Sequence, residues 1–282
     1  MVLSNEELNI HNPANVTKTS EVDKKTKEKW SEAHSVKMAD WGDISSAHDQ
    51  QIKLPLDNRL ETIGQQLEYI INWAVKTYGT ETFAKAKNEF YLLAGKFFYD
   101  DPHFHQRIHY FLDHFIFEKK ISDHLKKINS EPPYFEFISS DHFNNENYIN
   151  SKNQAAMLDL RKFRHSIYLV KKVTLSELTI IDLLTDEKIK VSPIDDQIFH
   201  GIKRKQVFQS YIFNWKDKYH LSKGIILHPE KSWKVILKKT KIVRKSKEKE
   251  LLTLLMKLAK LEIEAKVRKP QTIKQHYLNS LF

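Results

Sequence analysis

The fold of this chain is decided by five short runs: SIYLVKKV (166–173), LTIIDLL (178–184), KIKVS (188–192), QVFQSYIFNW (206–215) and KYHLSKGIIL (218–227). Their content of Val, Ile, Tyr and Phe is typical of β-strands. Polar turns separate them, with TDE between the second and third runs and KDK between the fourth and fifth. Short strands at such close spacing are typical of a small barrel. The sequence therefore predicts a small five-stranded antiparallel β-barrel over residues 165–227.

The residues before these runs carry the spacing of helices. Apolar side chains recur every three or four residues, which places them on one face of each helix. Gly79 ends the first of three predicted helices, and Thr80 can cap the second. The apolar positions are Leu60, Ile63, Leu67, Ile70, Ile71 and Ala74, then Phe83, Ala86, Phe90, Leu93 and Phe97, then Phe104, Ile108, Phe111, Leu112 and Phe115. A further helix at roughly 153–163 completes a predicted helical domain over residues 56–164.

The two ends of the chain differ from each other. Residues 228–282 return to helical periodicity, and their longest predicted helix runs from about 246 to 268, where Pro270 stops it. Residues 1–55 are polar and weakly patterned, so we expect a largely disordered tail. The predicted fold class is α+β, with a helical N-terminal domain, the small barrel and basic C-terminal helices.

Missing residue types exclude several classes of enzyme. The chain has six glycines, and no two lie closer than 15 residues, whereas dinucleotide loops, Walker A loops and nucleophile elbows need several glycines close together. It has no cysteine, which removes disulfides, thiol catalysis and Cys-ligated metals. We therefore expect no enzymatic activity and no cofactor. No signal peptide and no membrane-spanning segment is predicted, so the expected location is the cytoplasm.

Positive charge is concentrated towards the C-terminal end. The net charge is +10, and residues 201–282 hold 21 Lys and Arg against 6 Asp and Glu. Such a segment suits a polyanionic partner or an acidic docking surface. Only 7 of the 46 basic residues are Arg, the side chain whose planar fork recognises phosphates and bases in two-point contacts. The composition therefore favours point-charge contacts over specific base recognition.

Two basic groups are the candidate binding residues. The first lies just before the strand that holds Phe208, Tyr211, Phe213 and Trp215, and cations beside aromatic rings suit single-stranded nucleic acid. The alternative interpretation is that these aromatic residues belong to the core. The second group forms a helical stripe that can follow a phosphate backbone. The first group is Lys203, Arg204 and Lys205. The second group is Lys234, Lys238, Lys241, Arg244 and Lys245.

Two functions stay open on these grounds. The first hypothesis is an adaptor that docks a protein partner through its tail or its long C-terminal helix. The alternative is an accessory nucleic-acid-binding protein that uses the basic C-terminal region. The sequence favours the adaptor slightly, because it supplies no base-recognition chemistry. The oligomeric state is left open.

A third hypothesis, a metal-dependent hydrolase, rests on a cluster of histidines. On one helix His105, His109 and Asp113 share a stripe at four-residue spacing, and imidazole with carboxylate suits zinc or iron. However, the H-E-x-x-H arrangement is absent and no second set of ligands is visible. The favoured interpretation places these histidines on helix surfaces or between helices, so no metal is expected.

Two stretches carry a resemblance to a group of uncharacterised bacterial proteins. FYLLAGKFFYDDPHFHQRIHYFLDHFIFEKKI (90–121) resembles its aromatic start, Gly-Lys, acidic pair and Phe-rich helix with an Arg. RHSIYLVKKV (164–173) and LTIIDLLTDEKIKVS (178–192) resemble its strand pair. In that group an arginine usually follows the last acidic residue, whereas here Lys119 follows Glu118. The resemblance covers roughly residues 83–227, implies a helical domain followed by a barrel, and implies no established activity.

Overall fold

The computed structural model describes residues 60–121, 131–145, 149–194, 201–244 and 248–282. All of them belong to one compact unit, Pro55–Phe282. The predicted tail over residues 1–55 lies outside the described residues.

The part of the chain before the strands is helical. The helices are α1 (Ile63–Ala94), α2 (Phe104–Phe117), α3 (Pro133–Ile138), α4 (Asp141–Asn144) and α5 (Ser151–Asp159), the last followed by a 3-10 turn at Leu160–Lys162. Thr62 and Gln65 form a reciprocal capping box at the start of α1, which satisfies two free N–H groups of the first turn. Gly79 interrupts α1 with a φ of 82°, so the predicted break between two helical segments is confirmed.

Five strands follow, at the positions that the five runs predict. They are β1 (Arg164–Val173), β2 (Leu178–Asp182), β3 (Lys188–Pro193), β4 (Val207–Trp215) and β5 (Lys218–Leu227). Each strand pairs with two others, and the order β1-β2-β3-β5-β4 closes on itself as a barrel. Tyr168 of β1 lies opposite Asp182 of β2 and Phe208 of β4.

The predicted antiparallel arrangement is wrong in one pairing. β3 and β5 run parallel, with Val191 opposite Tyr219, while the other four pairings are antiparallel. A closed ring with an odd number of strands cannot alternate direction all the way round. At least one neighbouring pair must therefore be parallel, and here it is the pair that β4 separates in sequence.

Helices return after the barrel. A 3-10 turn at Glu230–Ser232 leads into α6 (Trp233–Val243), and α7 (Glu248–Lys266) and α8 (Pro270–Leu281) follow. Pro270 ends the region of α7 as predicted, and it is also the first residue of α8, which lies within the predicted helical region 228–282 but was not delimited as a separate helix. Helices and strands together confirm the α+β class. Among the described residues, no helix is both long and apolar enough to cross a bilayer.

Apolar side chains from both faces of the barrel wall are buried. Tyr168, Ile180 and Phe208 are part of a cluster inside the barrel. Tyr211 and Phe213 join the core of helices α1 to α5. A third cluster joins the outer side chains Ile167, Leu183 and Val207 to α6, α7 and α8. The barrel is thus covered by helices on two sides, while the outer lysines of β3, Lys188 and Lys190, stay exposed.

Gly224 of β5 lies directly against the backbone of α2. A Cβ atom at this position would lie 2.5 Å from the backbone nitrogen of Tyr110 and 2.8 Å from a carboxylate oxygen of Asp113. We expect Gly224→Ala to lower the free energy of unfolding by about 1–3 kcal/mol, because an overpacked site must push the helix away. Chemical denaturation measures this change. Leu175→Ala, at a turn residue that is 85% exposed, serves as the control, and equal stability of the two variants would contradict the assigned packing.

Candidate functional site

Four cations meet around a pocket at one end of the barrel. Lys171 and Lys172 come from the end of β1, while Lys203 and Arg204 come from the loop before β4. With Val173 and Ile202 they line a shallow, open concave surface of about 590 Å³. Lys205 is the next residue of the same loop. We call these five residues, Lys171, Lys172, Lys203, Arg204 and Lys205, the barrel-end cluster.

The loop that carries three of these cations is held in place by its backbone. The N–H of Lys205 donates to the carbonyl of Val170 at 2.8 Å, and the N–H of Val170 donates to the carbonyl of Gln206 at 2.9 Å. The Gln206 side chain accepts the N–H of Lys203 at 2.9 Å. Ile202 is buried in the barrel interior. The loop is therefore anchored on both sides of its basic residues, so the cations are presented by a fixed backbone.

The five side chains of the barrel-end cluster are exposed. Within the described parts of the chain, none of them forms an ion pair. Two other cations of the barrel differ in this respect: Arg164 pairs with Glu187, and Lys190 pairs with Glu177. Uncompensated like charges around a concave surface raise the local concentration of anions. The cluster is thus the part of the barrel best suited to an anionic ligand.

The second predicted group is only partly available. Lys234, Lys238 and Lys241 lie exposed on α6, as the predicted stripe requires. The prediction of Arg244 as a binding residue is not supported by its contacts, because its guanidinium pairs with Asp186 and donates to the Leu183 carbonyl at 2.9 Å. These contacts tie the end of α6 to the turn between β2 and β3. Lys245 lies outside the described residues.

The aromatic residues of β4 do not form a stacking surface. Phe208, Tyr211 and Phe213 are each fully buried, at 0% exposure, so their interpretation as core residues is confirmed. Trp215 is half-buried, and its indole N–H donates to the Gln66 side chain at 3.2 Å. The basic loop therefore has no row of exposed aromatic rings from this strand beside it.

The three candidate metal ligands do not come together. His105 is exposed, His109 is half-buried, and Asp113 is buried with its carboxylate hydrogen-bonded by the Ser222 hydroxyl. Burial, with the nearby charge of Lys223, lowers the pKa of His109 to about 4. Across the residues that the structure describes, no group of three His, Asp or Glu side chains is placed to hold a metal ion. His105 and Asp113 are eight residues apart on the helix, a rise of about 12 Å, so the three side chains of the stripe cannot all reach one ion.

A buried polar cluster went unnoticed in the sequence. Glu118, just after α2, accepts hydrogen bonds from His165 at 2.8 Å, from His114 at 3.0 Å and from the Tyr211 hydroxyl. Burial alone would raise the pKa of Glu118, but the charge of His165 and the hydrogen bonds of both histidines hold it well below its usual range. The cluster joins α2 to β1 and β4, from positions that are far apart in the sequence, so no local motif marks it.

A chain of hydrogen bonds extends this cluster towards the C-terminal helices. His165 is bonded through its other ring nitrogen to the Tyr110 hydroxyl, and the Gln209 amide donates to the same hydroxyl at 2.7 Å. The Gln209 carbonyl oxygen lies 3.1 Å from the His228 ring. Since each buried polar group finds a partner, this chain is best explained as a structural link between helices and barrel.

Compared with protein-family models, with curated proteins and with solved structures, the chain matches none of them. The resemblance to uncharacterised bacterial proteins consequently stays a prediction.

Proposed function

We propose that this protein is a non-enzymatic nucleic-acid-binding protein that contacts phosphate groups through the barrel-end cluster. The observation that carries the proposal is the convergence of two separate segments, the end of β1 and the loop before β4, on one pocket with unpaired cations. Small five-stranded barrels also recur as modules that bind oligonucleotides. The likeness to those modules is one of architecture only, whereas the unpaired charges of this surface support phosphate binding directly.

The contacts would be made to phosphates rather than to bases. Four of the five cations are lysines, which act as point charges without the planar fork that matches base edges. The aromatic rings of β4 are buried in the core. Binding through phosphates alone fixes position and gives little sequence preference. The exposed lysines of α6 form a second basic surface.

A salt titration tests the proposal. Each phosphate contact lowers log K by about 0.9 per decade of salt on duplex DNA and by about 0.7 on single strands. Four or five contacts therefore give a slope of roughly −3.6 to −4.5 on duplex DNA and roughly −2.8 to −3.5 on single strands. Fluorescence anisotropy with labelled duplexes and single strands of differing sequence measures both the slope and the sequence preference. We expect similar affinities for different sequences.

Matched charge reversals locate the site. The triple variant Lys203→Glu, Arg204→Glu, Lys205→Glu is expected to lose about three contacts and so to flatten the duplex slope by roughly 2.7. The control reverses Lys76, Lys120 and Lys152, which are equally exposed and lie before the barrel. It changes the net charge by the same amount and should retain binding. Absence of binding at about 50 mM salt, or an equal loss in both variants, would refute the proposal.

A further inference from the structure

A second surface, separate from the barrel-end cluster, lies between α1 and α7. It is a groove of about 520 Å³, lined by Leu92 and Leu93 from α1 and by Leu252, Met256, Lys257 and Lys260 from α7. Leu92 is 78% exposed and Leu93 is 55% exposed. Two adjacent leucines that stay in water beside a groove are unusual, and patches of this kind mark interaction sites. We call this surface the α1–α7 groove.

The exposure of the leucines indicates the size of the occupant. A site for a small ligand encloses most of its ligand and therefore hides its own apolar walls. Here the apolar wall lies on the outside of the molecule, where only a large partner can cover it. An amphipathic helix lies in such an open groove along its length and places an apolar residue on it every three or four positions.

The charges at the groove indicate the chemistry of the occupant. Lys257 and Lys260 are exposed, and within the described residues neither forms an ion pair. Glu264, the acidic residue among the groove residues, has the Nε2 atom of His276 2.8 Å from its carboxylate, a contact that is an ion pair when the histidine is protonated. The groove therefore offers two free positive charges beside its leucines. Complementary charges across an interface select the partner and fix its orientation.

We infer that the α1–α7 groove docks an acidic amphipathic helix of a partner protein. The apolar face of that helix lies on Leu92 and Leu93, and its Asp and Glu side chains face Lys257 and Lys260. This inference gives the adaptor hypothesis a defined surface and a defined partner chemistry. It is independent of the proposed phosphate contacts, because the two surfaces share no residue.

Selection from a displayed library of helical peptides tests the inference with the full chain as bait. We expect the selected peptides to combine Leu, Ile or Phe at helical spacing with an excess of Asp and Glu. The variant Leu92→Asp, Leu93→Asp should weaken their binding by about 30-fold or more, since hydrophobic anchors at an interface centre dominate affinity. The variant Lys257→Glu, Lys260→Glu should weaken acidic peptides and favour peptides in which Lys replaces the acidic residues.

Controls separate this surface from general stickiness and from nucleic-acid binding. Leu175→Asp introduces an acidic residue at another exposed leucine, and Lys269→Glu, Lys274→Glu reverses two other exposed lysines. Both controls should retain full peptide binding. Selected peptides without an acidic excess, or binding that the groove variants leave unchanged, would overturn the inference. A small amphiphile found by native mass spectrometry on the wild type and lost in Leu92→Asp, Leu93→Asp would also overturn it.

Discussion

Replacing Glu118 with Ala should lower the free energy of unfolding by about 3–5 kcal/mol, which is the usual effect of removing one partner from a buried ion pair. The side chain of Glu118 is 17% exposed, and those of His114 and His165 are 8% and 3% exposed. Without the carboxylate, two histidines and the Tyr211 hydroxyl would lose their shared acceptor in a place that little water reaches. Total stabilities of single domains are about 5–15 kcal/mol, so the loss is a large share of the whole.

The effect of Glu118 should also depend on pH. Its pKa is depressed in the folded protein, so the unfolded chain takes up a proton at a higher pH than the folded chain does. The stabilisation is therefore fully present above the unfolded pKa of about 4.3 and is lost as the pH falls below it. We expect the difference between wild type and Glu118→Ala to shrink as the pH falls through about 4.

Urea denaturation at a series of pH values measures both effects. Glu118→Gln keeps the shape of the side chain and removes its charge, so it should fall between wild type and Glu118→Ala. Glu177→Ala is the control, because its pair with Lys190 is exposed and such pairs contribute about 1 kcal/mol or less. If Glu118→Ala were no more harmful than Glu177→Ala, the buried cluster would not be what joins α2 to the barrel.

The sequence predicts the elements of this fold well because the signals for them are local. The strands appear as runs of β-branched and aromatic residues, and the helix faces appear at three- and four-residue spacing. Gly79 marks a break because only its backbone adopts a positive φ without strain. Pro270 has two meanings for the same local reason, since a proline that stops one helix is equally suited to the first position of the next.

What the sequence does not predict depends on contacts between distant segments. The parallel pairing of β3 with β5 follows from closure of the ring, which no single strand reveals. Lys171 and Lys172 were absent from the predicted binding residues because only the folded barrel places them beside Lys203 and Arg204. Glu118 likewise stands in the sequence as an ordinary acidic residue after a helix. Its role is visible only when β1 and β4 bring His165 and Tyr211 to it.

Asp113 should have the opposite relation to pH from Glu118. It lies on the buried side of α2, where the Ser222 hydroxyl donates a hydrogen bond to it. Burial raises the pKa of Asp113 to about 8. The negative charge of Glu118 acts in the same direction, and the hydrogen bond from Ser222 acts against it. The folded protein therefore keeps this proton at pH 7, whereas the unfolded chain releases it near pH 4. Between these values the unfolded state binds fewer protons, so stability falls as the pH rises.

Asp113→Asn should remove this penalty. Each tenfold change in proton affinity corresponds to about 1.4 kcal/mol. Wild type should therefore lose several kcal/mol of stability between about pH 4 and pH 8. Asp113→Asn should not show this loss, because its side chain does not ionise. The variant should therefore match wild type near pH 4 and exceed it increasingly towards pH 8. Asp100→Asn, at an exposed position of the turn before α2, is the control and should follow the wild-type curve. Parallel curves for wild type and Asp113→Asn would show that the carboxyl is already ionised in the folded protein at neutral pH.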